Sequence, residues 1–323
     1  MNILLIGATG QLGHALARAL AKTHYQLSVL VRNKRKLALP QDVRVIEAPT
    51  FTSQAMRQAM VAVDHVIYGV GRPEQFVFDK TVFERVNYDL LQTFLRVFKE
   101  TGLKDLTYIS TYEVFQVVHG IIRETHPVAD ERYVTSYSQS MVRAYRLVSA
   151  FAQEQGIHLT TIHPAALYGG RNTGYGVTNY LENLFRKRHW NLPFIFDGRF
   201  PVVHVNSLAA AIIRSVKHTG AYIVSDQMTD LKDIADVTRK HSDFYVPRIT
   251  APIQAVRAGV VMLELAARLT RAVPIMSRVQ VDFIRQGWEP KPDKACRELD
   301  WKPLPLEEGV KQYVHGKGPD GAG

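Results

Sequence analysis

The run Gly7-Ala8-Thr9-Gly10-Gln11-Leu12-Gly13 follows the apolar segment from Asn2 to Ile6 and opens directly into an amphipathic stretch. Glycines in that setting do phosphate chemistry without a side chain. Gly7 and Gly10 permit a tight turn and a close backbone approach to a pyrophosphate, and Gly13 lets a helix pack on the preceding strand. The helix N-terminus adds unpaired N–H groups and a favourable dipole. A glycine pattern alone also fits a structural turn; its position between a first strand and a helix points to a dinucleotide. The second strand ends in Leu30-Val31-Arg32-Asn33-Lys34-Arg35, where an NAD site would place an acidic residue against the ribose 2′-hydroxyl. Arg32 stands there instead. Its guanidinium suits a 2′-phosphate, with Lys34 or Arg35 adding charge, so NADP(H) is the expected cofactor; an ordinary basic turn is the alternative.

Other chemistries find little support. The 12 histidines include no His-Glu-x-x-His spacing, and Cys296 is the single cysteine, so neither a metal site nor an internal disulfide is expected. A net charge of +10 suits anionic ligands, yet the basic run Arg186-Lys187-Arg188-His189 before Trp190 reads as a solvated helix end without a nucleic-acid motif. The chain enters a strand at once, with no leader pattern, which implies a cytoplasmic protein. No run reaches the roughly 18 apolar residues of a membrane span. The nearest stretch, Ala258 to Ala267, carries Glu264 and is flanked by Arg257 and Arg268, so it reads as an amphipathic or core helix, with a peripheral membrane helix as the other reading.

These groups need a scaffold, and the first half supplies its rhythm. Strands are expected at Asn2–Ile6, Gln26–Val31, Val43–Glu47, His65–Tyr68, Leu106–Ser110 and His158–Ile162. Helices are expected between them at Gln11–Lys22, Ser53–Val61, Thr81–Thr101 and Tyr137–Gln155. Repeated βαβ units imply an α/β protein with a Rossmann-type, doubly wound parallel sheet. Residues 1–165 would form the NADP(H)-binding domain, completed by strands within 200–226, where Pro201–Val205 and Ala221–Val224 read as strands. Residues 166–315, with helices at Leu231–Lys240 and Pro252–Arg271, would form a smaller substrate-binding lobe, and 316–323 a disordered tail.

More specific markers fall in order: Asp64 to Gly71, Val86 to Leu91, Tyr108 to Phe115, Glu124 to Pro127 ahead of Tyr137 to Met141, His163 to Gly169, Val203 to Ala209, and Lys294 to Pro303. Together they resemble the extended or atypical short-chain dehydrogenase/reductase family (NAD(P)-dependent epimerase/dehydratase-like), over nearly the whole chain. The resemblance implies a catalytic pair of Thr111 and Tyr137. It places the cofactor against the first turn (Gly7, Thr9, Gly10, Gln11, Leu12, Gly13), against Arg32 and Asn33, and against Gly69 and Val70. It adds Met141, Pro164 and Leu167, together with Asn87, the family's structural asparagine.

One departure changes the chemistry. The family's Tyr-x-x-x-Lys becomes Tyr137 followed by Met141, and a thioether neither lowers a phenol's pKa from its reference near 10 nor binds the nicotinamide ribose. A protonated Tyr137 still serves as an acid, which favours the reductive direction. Arg143, Lys80 or His163 are the residues that could replace the charge. Tyr112 and Glu113 stand where related sugar-nucleotide dehydratases carry an Asp-Glu pair; Glu113 could act as a base, but the missing acid disfavours dehydration. Ala48-Pro49-Thr50 and Asn206-Ser207 also depart from the family pattern. Tyr168, Tyr175, Phe185, Trp190, Phe194 and Phe196 fit an aromatic substrate pocket or a lobe core equally well.

The expected function is an NADP(H)-dependent oxidoreductase reducing a carbonyl or conjugated carbonyl of a small organic molecule. The alternatives are a sugar-nucleotide epimerase and a non-catalytic NADP(H)-binding sensor or scaffold. A homodimer is compatible with the sequence; nucleic acid and an integral membrane segment are not expected partners.

Overall fold

A computed structural model describes the chain except at residues 38, 74–76, 132–134, 175, 188–193, 272–273, 275 and 317–323. Tyr175, Arg188, His189, Trp190 and the expected disordered tail beyond Gly316 therefore lie outside the described residues. The centre is a seven-stranded sheet of β1 (Asn2–Ile6), β2 (Gln26–Val31), β3 (Arg44–Glu47), β4 (His65–Tyr68), β5 (Asp105–Ile109), β7 (His158–Pro164) and β11 (Gly220–Val224). The two-residue strand β6 (Ile121–Ile122) lies outside it, in the connection between β5 and β7. The spatial order is β11-β7-β5-β4-β1-β2-β3, with every pairing parallel. This is the Rossmann-type doubly wound sheet that the alternation of apolar runs implies, and the order reverses between β1 and β4.

Side-chain alternation explains its two covered faces. Ile3 and Leu5 of β1 join one buried cluster with Leu16 and Leu20, while Leu4 and Ile6 join another with Phe94 and Phe98. The first face is covered by α1 (Gln11–Leu20) and α7 (Val205–Ser215); the second by α2 (Ser53–Ala59) and α4 (Leu90–Thr101). The helix expected over 81–101 is interrupted: α3 (Thr81–Phe83) passes through a π-helical segment (Glu84–Asp89) before α4. That wider turn carries Asn87 inward, as π-bulges at polar contacts do. The long helix α5 (Ser136–Gln155) begins at Thr135, whose hydroxyl accepts from the Ser138 N–H at 3.1 Å.

Beyond β7 only the strands Phe200–His204 and Gly220–Val224 are long enough to be read from the sequence; the other described strands have two or three residues. β8 (Ala166–Tyr168), β10 (Phe200–His204) and β12 (Gln227–Thr229) make a three-stranded sheet, while β9 (Phe194–Phe196) pairs with β13 (Ile249–Ala251). β14 (Glu289–Pro290) returns to β6. Helices α6 (Gly176–Leu181), α8 (Leu231–His241), α9 (Ile253–Thr270), α10 (Arg278–Gln286) and α12 (Leu306–His315) surround a third cluster. Tyr168, Phe185 and Phe196 are buried inside it, so these aromatics are lobe core rather than pocket lining. Asp226 ties this region to the sheet: its carboxylate accepts from the His204 N–H (2.7 Å), the Ser207 hydroxyl (2.6 Å) and the Leu304 N–H (2.9 Å). The chain then closes through α11 (Asp293–Glu298) to Trp301, whose indole N–H donates to the Ser207 carbonyl at 3.0 Å.

Candidate cofactor and active site

Parallel strands deliver their C-terminal residues to one edge, and register fixes which ones meet. Ile6 pairs with Leu30 on one side and with Tyr68 on the other, so Gly7 emerges between the start of the Arg32 turn and Gly69. Ile109 pairs with Ile162, which brings Thr111 and Pro164 to the same edge. The crevice thus lies at the switch point, where open α/β sheets bind ligands.

Gly7 adopts a φ of +105°, a region L side chains rarely occupy, and a Cβ there would sit 2.6 Å from the Gly69 carbonyl oxygen. A Cβ on Gly13 would run into the Gly7 carbonyl and lie 2.8 Å from Ala8 Cα. Gly10 caps α1 without any side-chain hydrogen bond, and a Cβ there would meet nothing nearer than the Gly7 carbonyl at 3.7 Å. A bare, unencumbered helix N-terminus pressed between two strand ends fits a diphosphate. Gln11 serves the turn differently: its side-chain amide N–H groups donate to the Gly169 carbonyl (2.9 Å) and the Thr178 hydroxyl (2.6 Å), which leaves its backbone N–H to face a diphosphate.

At the end of β2, Arg32 is exposed and has no ion-pair partner among the described residues. The Asn33 side chain accepts from the Arg35 N–H at 2.9 Å, shaping the following turn. Lys34 is partly neutralised by Glu47 at 3.7 Å. A second guanidinium arrives that sequence reasoning missed: Arg171 donates to the Lys36 carbonyl at 2.6 Å. Nothing local marks this contact between residues 135 positions apart.

Asn87 is buried. Its carbonyl accepts from the Arg72 N–H (2.7 Å) and its amide donates to the Ser140 hydroxyl (2.9 Å), which clamps the segment after Gly69 and Val70 to α5. Ser138 donates to the Glu113 carboxylate, fastening the first turn of α5 to the turn after β5. Through that bond Tyr137 and Thr111 share one corner. The Thr111 hydroxyl accepts from the Glu113 N–H at 3.4 Å, and Tyr137 packs edge-on to Phe83. Burial pushes the Glu113 carboxyl up, opposed by the Ser138 hydrogen bond. Tyr112 is an addition that the sequence could not rank: its hydroxyl is buried without a hydrogen-bond partner among the described residues. Burial, then Glu113 and Tyr137, keep its phenol neutral.

Met141 lies one turn after Tyr137 and is buried in the cluster that includes Tyr112, Val114 and Ile162. Two of the three proposed charge substitutes are already engaged elsewhere. His163 is buried, its Nδ1–H donating to the Thr111 carbonyl (3.0 Å) and its Nε2 accepting from the Thr161 hydroxyl (2.8 Å). Burial lowers its pKa to about 3, so it is neutral. Arg143 is exposed and paired with Glu84 (3.0 Å) and Glu131 (3.4 Å). Lys80 is exposed ahead of α3. His163 does hold the Thr111 backbone in place.

A sequence profile of the NAD dependent epimerase/dehydratase family matches residues 3–224, from β1 to the end of β11. The chain belongs to this family. Within the extended short-chain dehydrogenase/reductase group, it is similar over 99% of its length, and over 90% of the relative's, to mouse "Short-chain dehydrogenase/reductase family 42E member 1", at 24% identity. Among solved structures, that of gox2253 superposes with a TM-score of 0.78 at 19% identity, covering 97% of this chain and 96% of the other. UDP-glucose 4-epimerase of Thermus thermophilus, solved in complex with NAD, gives 0.74 at 17% identity, covering 97% and 98%. These structural likenesses establish the fold. Membership in the epimerase/dehydratase family makes a nicotinamide dinucleotide the cofactor, and the glycine cradle fits its diphosphate.

The buried histidines carry a pH signature. His65 and His204 are lowered to about 4, and His163 to about 3, from 6.5, in each case chiefly by burial. With folded pKa values below the unfolded one, the unfolded chain binds more protons below pH 6.5, so stability falls with falling pH. Stability, read as melting temperature, is expected to fall progressively from about pH 6.5 towards about 4, each histidine contributing up to about 1.4 kcal/mol per pH unit. The slope should be smaller in His65→Asn. A melting temperature flat across that window contradicts neutral, buried imidazoles.

Proposed function

We propose that this chain is an NADP(H)-dependent reductase of a carbonyl or conjugated carbonyl group in a small organic molecule. Residues 1–165, completed from within 200–226, would bind the cofactor, and residues 166–315 would bind the substrate. The observation that carries the direction of the reaction is Met141, a buried thioether where a cation would otherwise hold the neighbouring phenol near ionisation. A Tyr137 that keeps its proton is an acid.

The hydride for the substrate carbonyl carbon would come from NADPH held in the glycine turn. As the C=O π pair moves onto oxygen, the Tyr137 hydroxyl donates its proton there and the Thr111 hydroxyl donates a hydrogen bond to the same oxygen. Solvent then reprotonates Tyr137. The turn from Gly7 to Gly13 holds the diphosphate, with Thr9 and Leu12 alongside. Gly69, Val70, Pro164 and Leu167 border the crevice; Arg32, with Asn33 shaping its turn, meets the 2′-phosphate. Asn87 and His163 position the catalytic corner without touching substrate.

A sugar-nucleotide epimerase is the second reading, favoured by the UDP-glucose 4-epimerase among the structural likenesses. Its cycle must remove a proton from a sugar hydroxyl before returning one, which asks for a tyrosinate that Met141 does nothing to stabilise.

Two measurements test the reductase reading. NADPH consumption across a panel of aldehydes, ketones and enones should fall by about 100-fold or more in Tyr137→Phe. Undiminished turnover refutes the proton-donor role, and no turnover of any compound by the wild type, with NADPH still bound, favours a sensor. In a fluorescence titration the wild type should prefer NADPH to NADH, and Arg32→Ala should weaken NADPH by about tenfold or more while leaving NADH unchanged. A wild-type preference for NADH overturns the Arg32 assignment.

A further inference from the structure

Helix α9 is the least covered long element of the fold. Of its residues only Ile253, Val260, Glu264 and Ala267 are buried. Its outer side carries Met262 (67% exposed), Leu263 (43%), Leu265 (50%) and Leu269 (88%), the densest group of exposed large hydrophobics among the described residues. Met262, Leu265 and Leu269 follow helical spacing along one stripe. Phe78, 54% exposed, extends this surface, since it lines a cleft together with Arg268 and Arg271 at the end of the helix. A contiguous apolar patch of this kind marks an interaction site.

Charge identifies what it meets. The one acidic residue of α9, Glu264, is turned inward, where its carboxylate accepts from both the Arg278 backbone N–H and its guanidinium at 2.7 Å each. Arg257 is neutralised by Asp282 at 2.7 Å. Arg268 and Arg271 remain exposed with no ion pair among the described residues, so the unneutralised charge around the apolar stripe is wholly positive. The chain as a whole carries +10. A second copy of this face would bring like charges together, whereas leucines flanked by arginines complement a surface that is apolar below and anionic at its head groups. No helix among the described residues is long and apolar enough to cross a membrane, so α9 would lie along the surface.

We infer that α9 docks the protein on anionic lipid bilayers, with Met262, Leu265 and Leu269 entering the acyl boundary and Arg268 and Arg271 meeting lipid phosphates. This is independent of the reductase reading, because α9 contributes no residue to the cofactor crevice.

The test is co-sedimentation of the full chain with phosphatidylcholine vesicles with and without phosphatidylglycerol, alongside light scattering of the free protein. Wild type should pellet with the anionic vesicles and not with the neutral ones. Arg268→Ala combined with Arg271→Ala should cut the partition coefficient by about 30-fold. Leu265→Gln combined with Leu269→Gln, which leaves charge untouched, should cut it by about tenfold or more. Failure of the wild type to pellet overturns the inference whatever the variants do. So does full binding by the Leu→Gln pair, which would mean that net charge alone drives association. A wild-type dimer that the same pair dissociates would assign the face to a second copy instead.

Discussion

Backbone at the end of β1 passes so close to backbone at the end of β4 that no side chain fits between them. Gly7 faces the Gly69 carbonyl, and Gly13 lies under Gly7 so that α1 can start at that point. The bare N-terminus of α1 is available because the sheet brings two strand ends together at the point where its order reverses. The remaining candidate residues take their places from the same register, which sets Arg32 on one side of the turn and Thr111 on the other.

The second determinant is how the active-site corner is braced. Three polar side chains do this: Asn87 from the π-helical segment, Ser138 from α5, and His163 from β7. Each satisfies its hydrogen bonds inside the protein, so each is suited to positioning rather than to chemistry. Within this brace Met141 packs as an ordinary core residue. The Tyr112 phenol is enclosed in this corner beside Glu113 and Tyr137, and burial favours its uncharged form.

Much of this was legible in the sequence. β1, β2 and β4 match their expected limits because buried parallel strands are continuous apolar runs closed by glycine or polar residues. The glycine turn between β1 and α1 was readable from local order, whereas Thr111 and Tyr137 were singled out by the family resemblance. Contacts made across long stretches of chain were not. Gln11 reaches Gly169 and Thr178, Arg171 reaches Lys36, and Asp226 collects donors from three segments, none of which leaves a periodic trace. The strands of two or three residues, β6, β8, β9 and β12 to β14, are too short to carry an alternation. For α9, an amphipathic or core helix and a surface helix share one hydrophobic pattern, and only its exposure in the fold separates them.

Amide hydrogen exchange with and without NADPH probes the glycine turn where the account places the ligand. Binding should slow exchange at Gly10 to Gly13 and at Gly69 and Val70, leaving the surface of α9 unchanged. Tight binding with no protection at that turn, or protection confined to the C-terminal lobe, would contradict a diphosphate held at the start of α1.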